Sequence, residues 1–179
     1  DRWGIKLQRK INRVDEFAAQ WPHAHFVHIV RDGRDLTASH LVSVPWGFTS
    51  VTEAAEGWVS VVERPPTVAP PDRYLEIRYE DLVRHPRSVL GRVVDFLGVP
   101  WDDSLLRHWQ VPHSLFDAPW GHPAAEAAAR PLSSARIGRY AEDLSPAQIA
   151  EFERIAGHQL RRLGYPLRQE AVAGAEPAR

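Results

Sequence analysis

The sequence predicts an α/β domain, a parallel sheet flanked by helices, on three observations. Phe26-Val-His-Ile-Val30 is apolar, β-branched and of strand length, and it runs through a turn containing Gly33 into a helical pattern. A second stretch of the same kind, Tyr74 to Arg78, follows an amphipathic helical run and precedes another. With 179 residues and 44% hydrophobic content, one globular domain has enough chain for a real core.

Taken in order, Asp1 to Arg9 reads as extended. Asn12 caps a helix running to about Gln20, with Asp15 and Glu16 in its first turn and Val14, Phe17, Ala18 and Trp21 on one face; Pro22 ends it. After the strand at Phe26–Val30, the helix that follows Arg31 carries Leu36, Ser39 and His40 and ends near Val42. A loop with Pro45 and Trp46 leads to Ser50-x-x-Glu53, a capping box, and to a helix with Val51, Ala55, Trp58 and Val62 on one face. Pro65-Pro66 stops it, and a Pro-rich connection to Asp72 delivers the second strand, in which Leu75 and Ile77 share a face with Tyr79. Glu80 and Asp81 read as caps of the next turn rather than as a catalytic pair, because adjacent side chains splay apart.

Pro86 opens a helix with Val89, Leu90, Val93, Val94 and Leu97 as its apolar stripe, and Gly98 with Pro100 closes it. A short helix is expected at Asp103 to His108. Trp109 to Leu132 has little regular pattern and reads as a lid, since loops of such length in a compact domain are usually functional or disordered. Ser145-Pro146-x-Gln148 starts a capped helix that turns Ile149, Phe152, Ala156, Leu160 and Leu163 inward and ends at Gly164 and Pro166. Residues 169–179 read as a disordered tail.

The turn after the first strand suits an anion. It ends at a helix N-terminus, where unpaired N–H groups and the helix dipole favour negative charge by ~0.3–1 kcal/mol for an exposed group. Arg31 at the strand's end and Ser39 eight residues on add a guanidinium fork and a hydroxyl for one phosphate. Ligands of open α/β sheets lie at the carboxyl ends of strands, so Tyr79 belongs with Arg31 in one crevice. Arg136 and Arg139 flank Gly138, whose lack of a side chain lets backbone come close to a phosphate.

Arg31-x-Gly33-Arg34-Asp35-x-x-x-Ser39 after an apolar strand resembles the 3′-phosphate segment of PAPS-dependent sulfotransferases, in which the first Arg and the Ser hold the donor's 3′-phosphate. Tyr79-Glu80-Asp81-Leu82, Pro86 and Phe96-Leu97-Gly98 resemble that family's downstream block, whose Tyr lies against the adenine. Ser134-x-Arg136-x-Gly138-Arg139-Tyr140, then Leu144-Ser145 and Leu163-Gly164-Tyr165, resemble its C-terminal phosphate loop and closing helix. The resemblance covers roughly Trp3 to Leu167 and is specific as an ordered set.

It implies a P-loop kinase-like, three-layer α/β fold, present as a partial domain over residues 1–168 that lacks the upstream Gly-rich 5′-phosphosulfate loop. It implies PAPS (3′-phosphoadenosine 5′-phosphosulfate) as co-substrate, no metal, and a hydroxyl or amine acceptor on a small molecule or carbohydrate, faced by the lid. Lys6, in its Trp-Gly-x-Lys context, corresponds to the lysine that faces the sulfonate, whereas the positions of the family's base hold Ile5 and Gln8. With no methionine in the chain, a fragment is expected. Two alternatives stay open: an ATP-dependent kinase-like enzyme, and a noncatalytic nucleotide-binding remnant.

Composition narrows the classes further. A formal net charge of -1 and no dense Lys/Arg run argue against nucleic acid as a partner. No run is long and apolar enough for a transmembrane segment, and the absence of Cys excludes disulfides and thiolate chemistry. His23, His25 and His28 invite a metal, but His25 and His28 point to opposite faces of a strand, so no metal site is expected. Only Lys6 and Lys10 among 22 basic residues are lysines, a bias that GC-rich coding produces and that points to a bacterial source. Oligomeric state is left open, as is the compartment, with the cytoplasm favoured.

Overall fold

Two parallel strands, β1 (Phe26–Val30) and β2 (Tyr74–Arg78), set the frame of the molecule. The structure is a computed structural model that describes residues 2–7, 14–43, 47–63, 71–111 and 129–168. The register pairs Phe26 with Tyr74 and Val30 with Arg78, so both strands end level at their carboxyl ends. That alignment has a direct consequence: Arg31 and Tyr79 leave the sheet side by side.

Helices α1 (Val14–Gln20), α2 (Gly33–Ser43), α3 (Val51–Val62), α4 (Tyr79–Arg84) and α5 (Pro86–Leu97) follow in order, then α6 (Tyr140–Asp143) and α7 (Pro146–Arg162). The starts of α3 and α7 have a local cause. Ser50 accepts the Glu53 N–H ahead of α3, and Ser145 and Gln148 form a complete capping box ahead of α7. The Glu53 carboxylate bonds instead to the Thr49 N–H and hydroxyl, so the α3 box is closed one residue upstream. Gly98 ends α5 at φ 60°, a left-handed conformation that costs glycine nothing. Asp103–Gln110 forms a 3-10 turn rather than an α-helix, with Asp102 accepting the Ser104 N–H.

The core lies between α3, α7 and β1. Trp58 and Val51 from α3 meet Phe152, Ala156 and Leu160 from α7, and Val30 joins them from the sheet. Phe152 and Leu160 are wholly buried, and each such side chain is worth ~1.5–3 kcal/mol of transfer free energy. On the other side α4 and α5 contact β2, where Ile77 is buried. Gly33 sits where α2 meets this core: a Cβ there would come within 2.5 Å of Phe152 Cζ and 2.6 Å of Trp58 Cδ2. Its glycine answers close packing, not an unusual turn.

Most predicted elements stand where the sequence put them, with differences at the edges. Tyr79, expected at the end of the strand Tyr74 to Arg78, follows β2 directly and is already the first residue of α4. Glu80 is buried and bonds across to Asp32 and Tyr165 instead of capping a turn. The Asn12 cap, the Pro45-Trp46 loop, the Pro65-Pro66 stop, most of the lid (residues 112–128) and the 169–179 tail lie outside the described residues. Among the described residues no helix is long and apolar enough to cross a membrane.

Candidate phosphate-binding site

The corner at the carboxyl end of the sheet is built in layers, beginning with the Arg31-Asp-Gly-Arg-Asp35 turn. Arg34 is buried with 1% of its side chain exposed; it forms a fork on Asp32, at 2.7 and 3.0 Å, and reaches Glu153 at 2.5 Å and the Pro166 carbonyl at 3.0 Å. Burial alone would weaken its hold on a proton, but Asp32, Tyr140 and Glu153 outweigh that and hold the guanidinium above its ordinary pKa. Arg34 and Asp32 are therefore structural, a buried pair that ties α2 to α7.

A second layer joins the sheet ends. Glu80 accepts the Asp32 N–H at 2.9 Å and the Tyr165 hydroxyl at 2.8 Å. Gly164, at φ 76°, reverses the chain after α7, and Tyr165 N–H bonds back to the Leu160 carbonyl at 2.8 Å, which brings the ring home to the sheet. Burial, then the Glu80 charge, push the Tyr165 hydroxyl above its ordinary pKa, so it remains a donor.

On this base Arg31 is free to face outward. Its carbonyl accepts the Trp58 indole N–H at 3.0 Å, and its guanidinium lies 5.0 Å from the centre of the Tyr79 ring, a cation–π geometry. Nη2 donates to the Arg136 carbonyl at 2.7 Å and stands 3.7 Å from Asp35, while Nε is buried with no partner among the described residues. A charged donor buried without a partner is what an anionic ligand would satisfy.

The loop of residues 134–140 closes the corner. Gly138 adopts φ 80°, and its N–H donates to Asp35 Oδ2 at 2.8 Å; the Tyr140 N–H donates to Asp35 Oδ1 at 3.0 Å. The Tyr140 ring lies 4.2 Å from the Arg34 guanidinium.

Of the expected site residues, Arg31, Tyr79, Arg136 and Gly138 are brought together here. Ser39 stands half-buried on α2, eight residues beyond Arg31. Arg136 contributes its carbonyl, while its side chain is on an exposed residue; Arg139 turns to Asp143 at 2.9 Å and braces α6. The Gly138 N–H serves Asp35 rather than standing open to a ligand. Lys6 is exposed in a leading segment held by Arg2, which donates to the Leu97 carbonyl at 2.6 Å, and by an edge contact of Trp3 with Trp21. None of the described hydrogen bonds joins Lys6 to the corner. His25 packs edge-on to Phe96 and His28 bonds Tyr74, and among the described residues no His, Asp or Glu group gathers to hold a metal.

Asp35 and Glu80 are the residues that sequence reasoning missed as organisers. Asp35 had one local signal, its place four residues from both Arg31 and Ser39; Glu80, whose partners lie 48 and 85 positions away, had none.

A sequence model of the sulfotransferase family matches residues 1–103, more than half of the chain. The chain belongs to the sulfotransferase family. It is 30% identical to protein-tyrosine sulfotransferase 1 of Danio rerio over 97 residues, covering 51% of this chain and 27% of that protein. It is 24% identical to protein-tyrosine sulfotransferase A of Caenorhabditis elegans over 154 residues, 81% of this chain and 40% of the relative. Among solved structures, the sulfotransferase domain of the Synechococcus PCC 7002 olefin synthase superposes with a TM-score of 0.66 at 25% identity, over 89% of this chain and 56% of that one. This sulfotransferase-family chain thus shares their α/β, P-loop-like fold and spans less than two thirds of each. The Arg31 turn, β1, β2 and Tyr79 all lie inside the matched residues, while the loop of Arg136 lies beyond them.

Proposed function

We propose that this chain carries the 3′-phosphate- and adenine-binding part of a PAPS-dependent sulfotransferase that moves a sulfuryl group to a hydroxyl or amine. The observation that supports this most is the convergence of three separate sequence blocks on one guanidinium: Arg31 lies over Tyr79 and is gripped by the Arg136 carbonyl. In this reading Arg31, with the Ser39 hydroxyl, holds the 3′-phosphate, and Tyr79 offers its ring to the adenine. Arg139 stays with Asp143 and adds positive charge to the rim without touching the ligand. PAPS supplies the sulfuryl group, whose bond to the 5′-phosphate breaks as one to the acceptor oxygen or nitrogen forms and the acceptor's proton leaves. What the chain contributes is position and charge. Lys6 is the proposed sulfonate-facing cation.

The acceptor class is a small molecule or carbohydrate, and the names of the animal relatives add a tyrosine hydroxyl to it. The arginine bias supports a bacterial source. Titration calorimetry with adenosine 3′,5′-bisphosphate and 5′-AMP tests the reading. The bisphosphate should bind more tightly by about tenfold, the worth of one charge-assisted contact. Equal or better binding of AMP overturns the 3′-phosphate assignment and favours an ATP-dependent kinase-like enzyme.

A further inference from the structure

The loop that delivers the Arg136 carbonyl to Arg31 is held in an unusual way. Ser134, Ala135, Arg136, Gly138 and Arg139 are exposed, and the loop's apolar anchorage comes at its end, where half-buried Tyr140 packs against Ala38, Leu144 and Ile149. The backbone before that anchor is held by polar contacts. The Asp35 carboxylate, with 1% of its side chain exposed, accepts two loop N–H groups from Gly138 and Tyr140 and faces the Arg31 guanidinium. Burial pushes the Asp35 carboxyl above its ordinary pKa, against the pull of the Tyr140 and Gly138 N–H groups and of Arg31. An acid kept in so dry a place has to be compensated by those donors, and releasing them would leave it buried and under-bonded.

From this geometry we infer that Asp35 is a positioning residue that latches the 136–140 loop to α2 and thereby orients Arg31 for its phosphate. The inference rests on the reading of Arg31 given above. Asp35 stands four residues from Arg31, whose Nη2 is 3.7 Å from its carboxylate, and one helical turn from Ser39 along α2. Through Gly138 it fixes the backbone two residues after Arg136, and the Arg136 carbonyl in turn holds Nη2 of Arg31. Loop position and guanidinium orientation are then one event. Loss of the latch frees the carbonyl, and Arg31 keeps its charge but loses its direction.

Asp35→Asn keeps the shape and replaces one acceptor oxygen by an NH2 that faces a loop N–H. Two readouts separate latching from general support. Without nucleotide, trypsin cleavage after Arg136 and Arg139 should quicken about tenfold, the scale expected for one lost hydrogen bond to a charged group, while cleavage after exposed Arg154 in α7 stays as in the wild type. With nucleotide, the variant should lose about tenfold in bisphosphate affinity and less than about twofold in AMP affinity. Gly138→Ala loosens the same latch from the loop side, because φ 80° strains any Cβ there, and it leaves the buried acid in place should Asp35→Asn fail to fold. It should show both changes. Unchanged loop cleavage in the variants overturns the inference, as does an equal loss for both nucleotides, which would mark Asp35 as merely structural. A wild-type protein that binds both nucleotides alike sinks the phosphate reading itself. One that discriminates, beside variants that discriminate equally well, sinks only the role of Asp35.

Discussion

The corner around Arg31 and the leading segment that carries Lys6 are built by different means. In the corner, strand register sets Arg31 beside Tyr79, buried pairs fix Asp32 and Arg34 beneath them, and Asp35 draws in a loop over 100 positions away. The segment of residues 2–7 has no regular hydrogen bonding of its own and leans on the rest through Arg2 and Trp3, with Trp3 and Ile5 largely exposed. The residues proposed to recognise the nucleotide therefore belong to the part of the chain that is over-determined by its own packing. The group assigned to the transferring sulfonate belongs to the part that is not. Binding and transfer should respond separately to mutation.

The largest effect should come from the packing under the corner. Phe152→Ala empties a wholly buried site against Trp58 and Gly33 and should cost ~3–5 kcal/mol in chemical denaturation, enough to unfold much of the protein. A loss below ~1 kcal/mol would mean that the α3–α7 core does not support the turn. At the opposite pole, Lys6→Ala should leave both bisphosphate affinity and melting temperature where they were, because Lys6 is exposed and makes none of the described hydrogen bonds. A tenfold loss of affinity in that variant would erase the division between the two regions.

A smaller effect is expected at β2, away from the proposed ligand. The Glu76 carboxyl is held below its ordinary pKa by the His28 ring 3.5 Å away, against burial and with help from Arg162. A depressed folded pKa adds stability that is present above the unfolded carboxylate's value near ~4.3 and is lost as pH falls through the folded value. Glu76→Gln should therefore flatten the fall of melting temperature below about pH 4 and leave nucleotide affinity alone. An unchanged acid limb would show that His28 does not favour the carboxylate.

Much of the frame was legible in the chain because its causes are local. Period and β-branching marked β1 and β2, and Ser50-x-x-Glu53 and Ser145-Pro146-x-Gln148 marked helix starts within a residue. Arg31 and Tyr79 could be placed in one crevice because each directly follows one of two parallel strands that end level. Long-range partners were not legible. Gly33 looked like a turn residue because the rings of Trp58 and Phe152 that press on it come from positions far along the chain. Arg34 and Asp35 stood in the sequence only as members of the Arg31-to-Ser39 motif, yet 1% and 2% exposure make them interior residues whose partners arrive from α7 and the 134–140 loop.

The claim at the centre of this account is that Arg31 and Ser39 share one phosphate, and a double-mutant cycle on adenosine 3′,5′-bisphosphate affinity tests it most directly. Arg31→Ala should weaken binding by roughly ten- to a hundredfold, for a charge-assisted contact of ~1.5–3 kcal/mol, and Ser39→Ala distinctly less, for a hydroxyl worth ~0.5–1.5 kcal/mol. Two groups on one phosphate should be non-additive, so the double variant should lose less than the product of the two single losses, with AMP affinity nearly unchanged throughout. Full additivity, or loss of binding only in proportion to loss of folded protein, would contradict it.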